Sequence, residues 1–298
     1  MLSSLLAAVR IAFAGSLVAL NTVLHCSVLF LVALLKLIPL EPWRRAVSVI
    51  LVALAENWIR VNSAVFAAMS GSQWQIDGLQ ELRRDRSYLV ICNHQSWVDI
   101  PVLQRALTGH IPFLRFFLKR QLIWVPFLGL AWWALDFPFM TRYSRAELEK
   151  NPALRGKDRE TTRRACEKFR KQPVSVMNFV EGTRFTPAKH ATQNSPFARL
   201  LKPKAGGVAF VLDAMGDVLH SVVDVTIAYP GGRPTLMDLL AGRVQRIRVS
   251  IEQRPLPAEL FHGDYENDAD YRARFQAWVQ QLWQSKDAEL QRISETAA

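Results

Sequence analysis

Between Ile11 and Leu35 the chain carries no Asp, Glu, Lys or Arg. Coiled at about 1.5 Å per residue, such a stretch outreaches the roughly 30 Å hydrocarbon layer of a bilayer. It predicts a transmembrane or deeply embedded helix, and so a fold that meets a membrane at its N-terminal side. Asn21, Thr22, His25 and Ser27 interrupt it. A secretory signal has a shorter apolar core, about 7–15 residues, and then a small-residue cleavage site. Here the core is longer and Lys36 follows it. Arg10 lies on one side and Lys36, Arg44 and Arg45 on the other, which predicts that the bulk of the chain faces the cytoplasm.

A second apolar stretch, Ala46 to Met69, differs in kind. Val47, Leu51, Leu54, Trp58, Val61 and Val65 fall on one helical stripe, while Glu56, Arg60 and Ser63 fall on another. A helix lying in the membrane interface and an ordinary amphipathic core helix fit this pattern equally well. Residues 1–72 are therefore read as N-terminal membrane-anchoring helices and 73–298 as a separate domain.

Beyond Gln73 short apolar runs alternate with helical patterns. Strands are predicted at 74–76, 88–92, 114–118, 135–140, 174–180, 222–228 and 246–251, with helices at 97–107, 127–133 and 161–171. Tyr271, Phe275, Trp278 and Leu282 form the apolar stripe of a C-terminal helix. The alternation predicts an α/β domain with a mixed, largely parallel sheet flanked by helices. Thr186 to Gly207 is Pro-rich and polar and reads as a long loop.

Half of the residues are hydrophobic, which excludes a disordered chain. The net charge of +11 points to an anionic partner: nucleic acid, anionic lipid or a phosphorylated substrate. From Arg142 to Lys171 there are eleven Lys/Arg against five Asp/Glu. No nucleic-acid motif accompanies that segment, and with an apolar N-terminus in the same chain a membrane surface is the favoured partner. Lys119, Arg120, Lys202 and Lys204 are further basic candidates for headgroup or donor contact. The three cysteines, 26, 92 and 166, have neither metal nor disulfide spacing, and no two of the six histidines form a short metal motif.

The chemistry concentrates where the predicted strand Tyr88–Cys92 runs into Asn93-His94-Gln95-Ser96-Trp97-Val98-Asp99. A His leaving the end of a buried strand stands where α/β folds place their chemistry. A neutral imidazole takes a proton from an alcohol when a carboxylate holds its other nitrogen, and Asp99 can supply one. In one continuous helix the two would lie roughly 140° apart, so they meet only if His94 precedes the helix. Ser96 as N-cap would arrange that. The same residues allow a plainer reading, in which Ser96 and Asp99 form a capping pair and His94 is a loop histidine. The spacing alone leaves both open. A Cys92–His94 thiol pair is a third, weaker option, because a strand Cys is commonly just buried.

Asn93-His94-x4-Asp99 resembles the first block of the glycerophosphate and lysophospholipid acyltransferase superfamily. Three more blocks match in order: Phe137–Arg142, Phe179-Val180-Glu181-Gly182-Thr183-Arg184, and Val225–Pro230. With Trp124-Val125-Pro126, the wording is most similar to the 1-acyl-sn-glycerol-3-phosphate and lysocardiolipin acyltransferase branch. The resemblance implies a membrane-anchored enzyme, in bacteria of the inner membrane. It would move an acyl group from acyl-CoA or acyl-carrier protein onto a lysophospholipid, foremost 1-acyl-sn-glycerol 3-phosphate. His94 and Asp99 would be catalytic. Arg142, Glu181, Gly182, Thr183 and Arg184 would bind substrate: the arginines take phosphate, Glu181 orients an Arg or the glycerol hydroxyl, and Gly182 admits close backbone approach. No metal and no cofactor beyond the acyl donor is implied. Backbone amides from Ser96 to Val98 are candidate oxyanion donors, and Pro230 would shape the pocket wall.

Overall fold

The computed structural model describes residues 2–140, 157–261 and 263–295. Helix α1 (Leu2–Leu34) and helix α2 (Glu41–Met69) form a hairpin joined by a 3₁₀ turn at Leu35–Leu37. Both are long and apolar enough to cross a membrane. Helix α1 starts well before the charge-free stretch, so Arg10 lies within it. The buried stripe of α2 is rotated from the expected one: Val47, Leu51, Ala55, Ile59, Asn62 and Phe66 point inward, whereas Val61 is exposed. Glu56 is buried instead of solvated. Arg84, beyond the helix, reaches it at 2.6 Å and Arg60 at 3.3 Å, which compensates the buried charge.

Inside the hairpin, polar side chains pair with each other. Asn21 donates to Asn62 Oδ1 (2.8 Å), and Trp58 Nε1 donates to Thr22 Oγ1 (3.1 Å). The interruptions in the apolar stretch thus tie the two helices together where little water competes. Packing crosses residue 72. Ala14 and Phe66 join the core beside the sheet, and Cys26, Leu29, Val47 and Leu51 pack with Ala131, Ala134, Leu135 and Phe137. At the hairpin's turn, Lys36 Nζ bonds Asp136 at 3.0 Å. The hairpin therefore lies along the domain, leaving Phe13, Leu20, Leu24 and Leu31 exposed as an outer stripe of α1.

The sheet has six strands in the order β1–β8–β7–β2–β6–β3. They are β1 (Gln73–Asp77), β2 (Tyr88–Cys92), β3 (Leu114–Phe116), β6 (Ser175–Phe179), β7 (Ser221–Ala228) and β8 (Arg246–Arg254). All neighbours pair in parallel except β7 with β8. A separate two-stranded ribbon joins β4 (Leu118–Lys119) to β5 (Phe139–Met140), so the expected strands at 114–118 and 135–140 survive only as fragments.

Strand β2 is central and buried on both faces, which is why it reads as an unbroken apolar run. Leu89 and Ile91 enter one core with α5 (Lys157–Glu167), α7 (Gly206–Met215) and α9 (Ala269–Glu295). Tyr88, Val90 and Cys92 enter the other with α3 (Asp99–Leu107) and α8 (Leu236–Leu240). Helix α4 (Leu128–Ala134) packs on the hairpin. The expected loop at 186–207 is not wholly irregular. It contains α6 (Pro187–Gln193), which Thr186 caps by accepting from Lys189 N at 3.2 Å.

Candidate active site

Strands β2, β6 and β7 are parallel neighbours, so their carboxyl ends open on the same edge. Asn93, just past β2, binds the backbone of β7 twice: Nδ2 donates to Ile227 O and Oδ1 accepts from Ile227 N, each at 2.9 Å. That clasp fixes where the chain leaves the sheet, and His94 follows immediately.

His94 is held at four points. Its backbone N–H donates to Glu181 Oε1 (2.9 Å) and its carbonyl accepts from Phe185 N (2.8 Å). Its ring stacks on Phe179 at 3.9 Å and 13°, and Nδ1 meets Asp99 Oδ2 at 2.8 Å. An ionised carboxylate only accepts, so Nδ1 carries the proton and Nε2 has the free lone pair. Among the described residues nothing bonds Nε2.

Asp99 is fully buried. Its Oδ2 also accepts from Gln95 N (2.6 Å) and Ser96 N (2.8 Å), and its Oδ1 accepts the Tyr229 hydroxyl (2.7 Å). Four donors offset the cost of burying the charge. The capping and catalytic readings of Asp99 are thus not alternatives, because one oxygen closes the turn and holds the imidazole. Asp99 begins α3, with Val98 at the N-cap position and Ser96 two residues before it, so Ser96 is not the N-cap. Burial and the neighbouring Asp99 charge push the Tyr229 phenol well above its usual range, so it stays a donor.

Glu181 departs from its expected role. It is buried, and its two oxygens take the backbone N–H groups of His94 and, at 3.1 Å, Leu201. Among the described residues neither oxygen hydrogen-bonds an arginine, and both hold backbone, an arrangement that suits a positioning role. Burial raises its pKa to about 7 against the two hydrogen bonds, which lower it. Gly182 has φ +68°, the left-handed region, and a Cβ there would lie 3.1 Å from Lys204 Cδ. Thr183 Oγ1 accepts from Lys189 Nζ at 2.7 Å, and the Arg184 guanidinium lies 4.4 Å over the ring of Trp97, which is largely exposed. Arg142 falls outside the described residues.

Of the candidate oxyanion amides, Ser96 N is held by Asp99 and Val98 N by Ser96 Oγ (3.0 Å). Trp97 N alone of the three has no acceptor among the described residues. Cys92 is buried, and burial drives its thiol pKa well above the usual value, which argues against a thiolate nucleophile.

The fold is thus an α/β protein with a carboxylate-held imidazole at the carboxyl edge of a mixed sheet, an arrangement that can take a proton from a bound group. The chain belongs to the Acyltransferase family, whose model matches residues 73–230. It is 30% identical over 287 residues to lysocardiolipin acyltransferase 1 of Danio rerio, covering 91% of this chain and 68% of that protein. It is 27% identical over 214 residues to the 1-acyl-sn-glycerol-3-phosphate acyltransferase delta of Mus musculus, covering 67% of this chain and 51% of that one. The chain thus spans about half the length of the mouse relative. A crystal structure of the 1-acyl-sn-glycerophosphate (LPA) acyltransferase PlsC from Thermotoga maritima aligns over 89% of this chain and 97% of that one. The identity there is 17% and the TM-score 0.45.

The sequence pattern alone assigns no role to Tyr229, Phe179, Gln95 or Arg233. Tyr229 and Phe179 each lie inside a matched block, so the blocks contained that signal. Arg233 lies just beyond the fourth.

Proposed function

We propose that the protein transfers a fatty acyl group from acyl-CoA or acyl-carrier protein to the free hydroxyl of a lysophospholipid. The acceptor that fits best is 1-acyl-sn-glycerol 3-phosphate, with phosphatidic acid as product. The observation that carries this reading is a His94 ring whose Nδ1 is fixed on Asp99 and whose Nε2 has no partner among the described residues.

In the proposed reaction Nε2 takes the proton of the acceptor hydroxyl as its oxygen attacks the thioester carbonyl. The imidazolium that forms is stabilised by Asp99. The amide of Trp97 is the available donor for the oxyanion. As the intermediate collapses, the C–S bond breaks and the thiolate receives the proton from Nε2. Arg184, 4.4 Å over the Trp97 ring, offers a planar guanidinium for the acceptor's phosphate, and Arg142 is proposed to join it.

The protein is proposed to work in a membrane, as a bacterial inner-membrane enzyme with its domain on the cytoplasmic side. Supporting the membrane location are the exposed apolar stripe of α1 and the exposed Trp124 (85%) and Trp133 (63%). The nucleic-acid reading is weaker. In the basic segment, Arg163 and Arg164 pair with Glu160, and Arg170 pairs with Asp217. Mass spectrometry of lipids after incubation with acyl-CoA and a panel of lysolipids tests the proposal. A new diacyl product supports it, and unchanged lysolipids throughout would refute it.

A further inference from the structure

Beside the dyad lies a cleft of about 160 Å³, lined by Gln95, Arg199, Tyr229, Pro230, Gly232 and Arg233 among others. Two of these residues serve Asp99 directly, Gln95 through its backbone N–H and Tyr229 through its hydroxyl. The cleft therefore borders the residues that hold the base.

Its polar lining is cationic and held in place. The Arg233 guanidinium lies 3.8 Å over the ring of Phe185, and its Nε donates to Gln95 Oε1 at 2.6 Å. Gln95 Nε2 in turn donates to the Arg199 carbonyl at 3.3 Å. Among the described residues no carboxylate forms an ion pair with either guanidinium. The carboxylate nearest in the fold to the Arg199 backbone is Asp287, and both of its oxygens are occupied by the amides of Ala198 and Arg199, each at 2.8 Å. Partial burial, and then repulsion from Arg199, lower the pKa of Arg233 against a smaller opposing pull from the Glu181 carboxylate, so the two cations sense each other. Stacking and the Nε bond fix the plane of Arg233 and leave its terminal N–H groups for a ligand.

Two guanidiniums that border one cleft, and that no carboxylate among the described residues reaches within ion-pair distance, suit a tetrahedral oxyanion. Both substrates of the proposed reaction carry phosphate esters. We propose that Arg199 and Arg233 form an anion site, separate from Arg184, that binds a phosphate group of one of the two substrates and couples its arrival through Gln95 to the His94–Asp99 pair. This inference rests on the acyl-transfer reading above.

The test uses the full-length protein in detergent micelles with Arg199→Gln, Arg233→Gln, the double variant and Arg233→Lys. Initial rates are measured against acyl-CoA and 1-acyl-sn-glycerol 3-phosphate in turn, and thermal melting checks the fold. The double variant is expected to raise the KM of one substrate by roughly 10- to 100-fold, the size of a charge-assisted contact, and to leave the other within about threefold. A rise confined to acyl-CoA assigns the site to the donor's phosphates, and one confined to the lysolipid assigns it to the acceptor's. Arg233→Lys, which keeps the charge, is expected to recover part of the loss. Unchanged KM values for both substrates in the folded double variant would overturn the site. If that variant melts early, the same result in the single Arg199→Gln variant overturns it equally. A wild-type protein inactive with every lysolipid would overturn the acyl-transfer reading instead.

Discussion

Glu181→Gln separates positioning from substrate binding. The carboxylate spans two backbone amides, His94 N at 2.9 Å and Leu201 N at 3.1 Å. A glutamine has one oxygen and one NH₂, so one of those amides must face a donor. An unmet buried N–H costs about 1–3 kcal/mol at any pH. The wild type carries a different, pH-dependent cost. Burial raises the Glu181 pKa from 4.5 to about 7, and one pKa unit is worth about 1.4 kcal/mol. A raised native pKa means that the folded state binds the proton more tightly. That stabilisation is fully present below about pH 4.5 and is lost as pH rises through about 7, a swing of about 3 kcal/mol. The variant, with no titrating group, is expected to be less stable than wild type by about 1–3 kcal/mol at pH 5. At pH 8 the difference should vanish or reverse. Urea unfolding in micelles followed by tryptophan fluorescence measures both, aided by nine Trp. Because His94 loses an anchor, kcat should also fall by about 10- to 100-fold, in line with the cost of a misplaced catalytic group. A stability difference that is the same at pH 5 and pH 8 would refute this account of Glu181.

Three further outcomes are expected. Tyr229→Phe removes the donor to Asp99 Oδ1 and should cost about 1.5–3 kcal/mol in urea unfolding, with a smaller loss of turnover than removal of His94. Cys92→Ala should retain acyl transfer, since the thiol is buried beside the base and not presented to substrate; loss of turnover in a stably folded variant would reopen the thiol mechanism. Trp124→Ser with Trp133→Ser should weaken liposome flotation while leaving turnover on micellar substrate within about threefold, because both side chains are exposed away from the dyad's contacts.

The parts legible in the sequence are those written in local pattern. Strand β2 announces itself because all five residues are buried, and the His94–Asp99 pair because both members lie in the short segment between that strand and the first residue of α3. Other parts depend on residues far apart in the chain. Glu181 lies 87 residues from His94, and Tyr229 lies 130 from Asp99. Nothing local says that Glu181 would be buried against backbone amides, and its acidity suggested substrate contact instead. Helix α7 is not legible in the sequence because a segment apolar on nearly every side, with Val208, Ala209, Val211, Leu212 and Met215 buried, shows no helical period. Helix α6 spans seven residues, too few for periodicity, although Thr186-Pro187 is a start signal. The buried stripe of α2 departs from the apolar pattern because its partners lie on two sides, α1 and the sheet domain, and Arg84 lets Glu56 turn inward.

The central claim is that one imidazole removes the acceptor's proton, and acyl transfer by His94→Ala tests it most directly. General-base help is worth roughly 10²- to 10⁴-fold. The account predicts that purified His94→Ala melts within a few degrees of wild type and forms diacyl product at least about a hundredfold more slowly, by mass spectrometry. Near-normal product formation by that folded variant would contradict it.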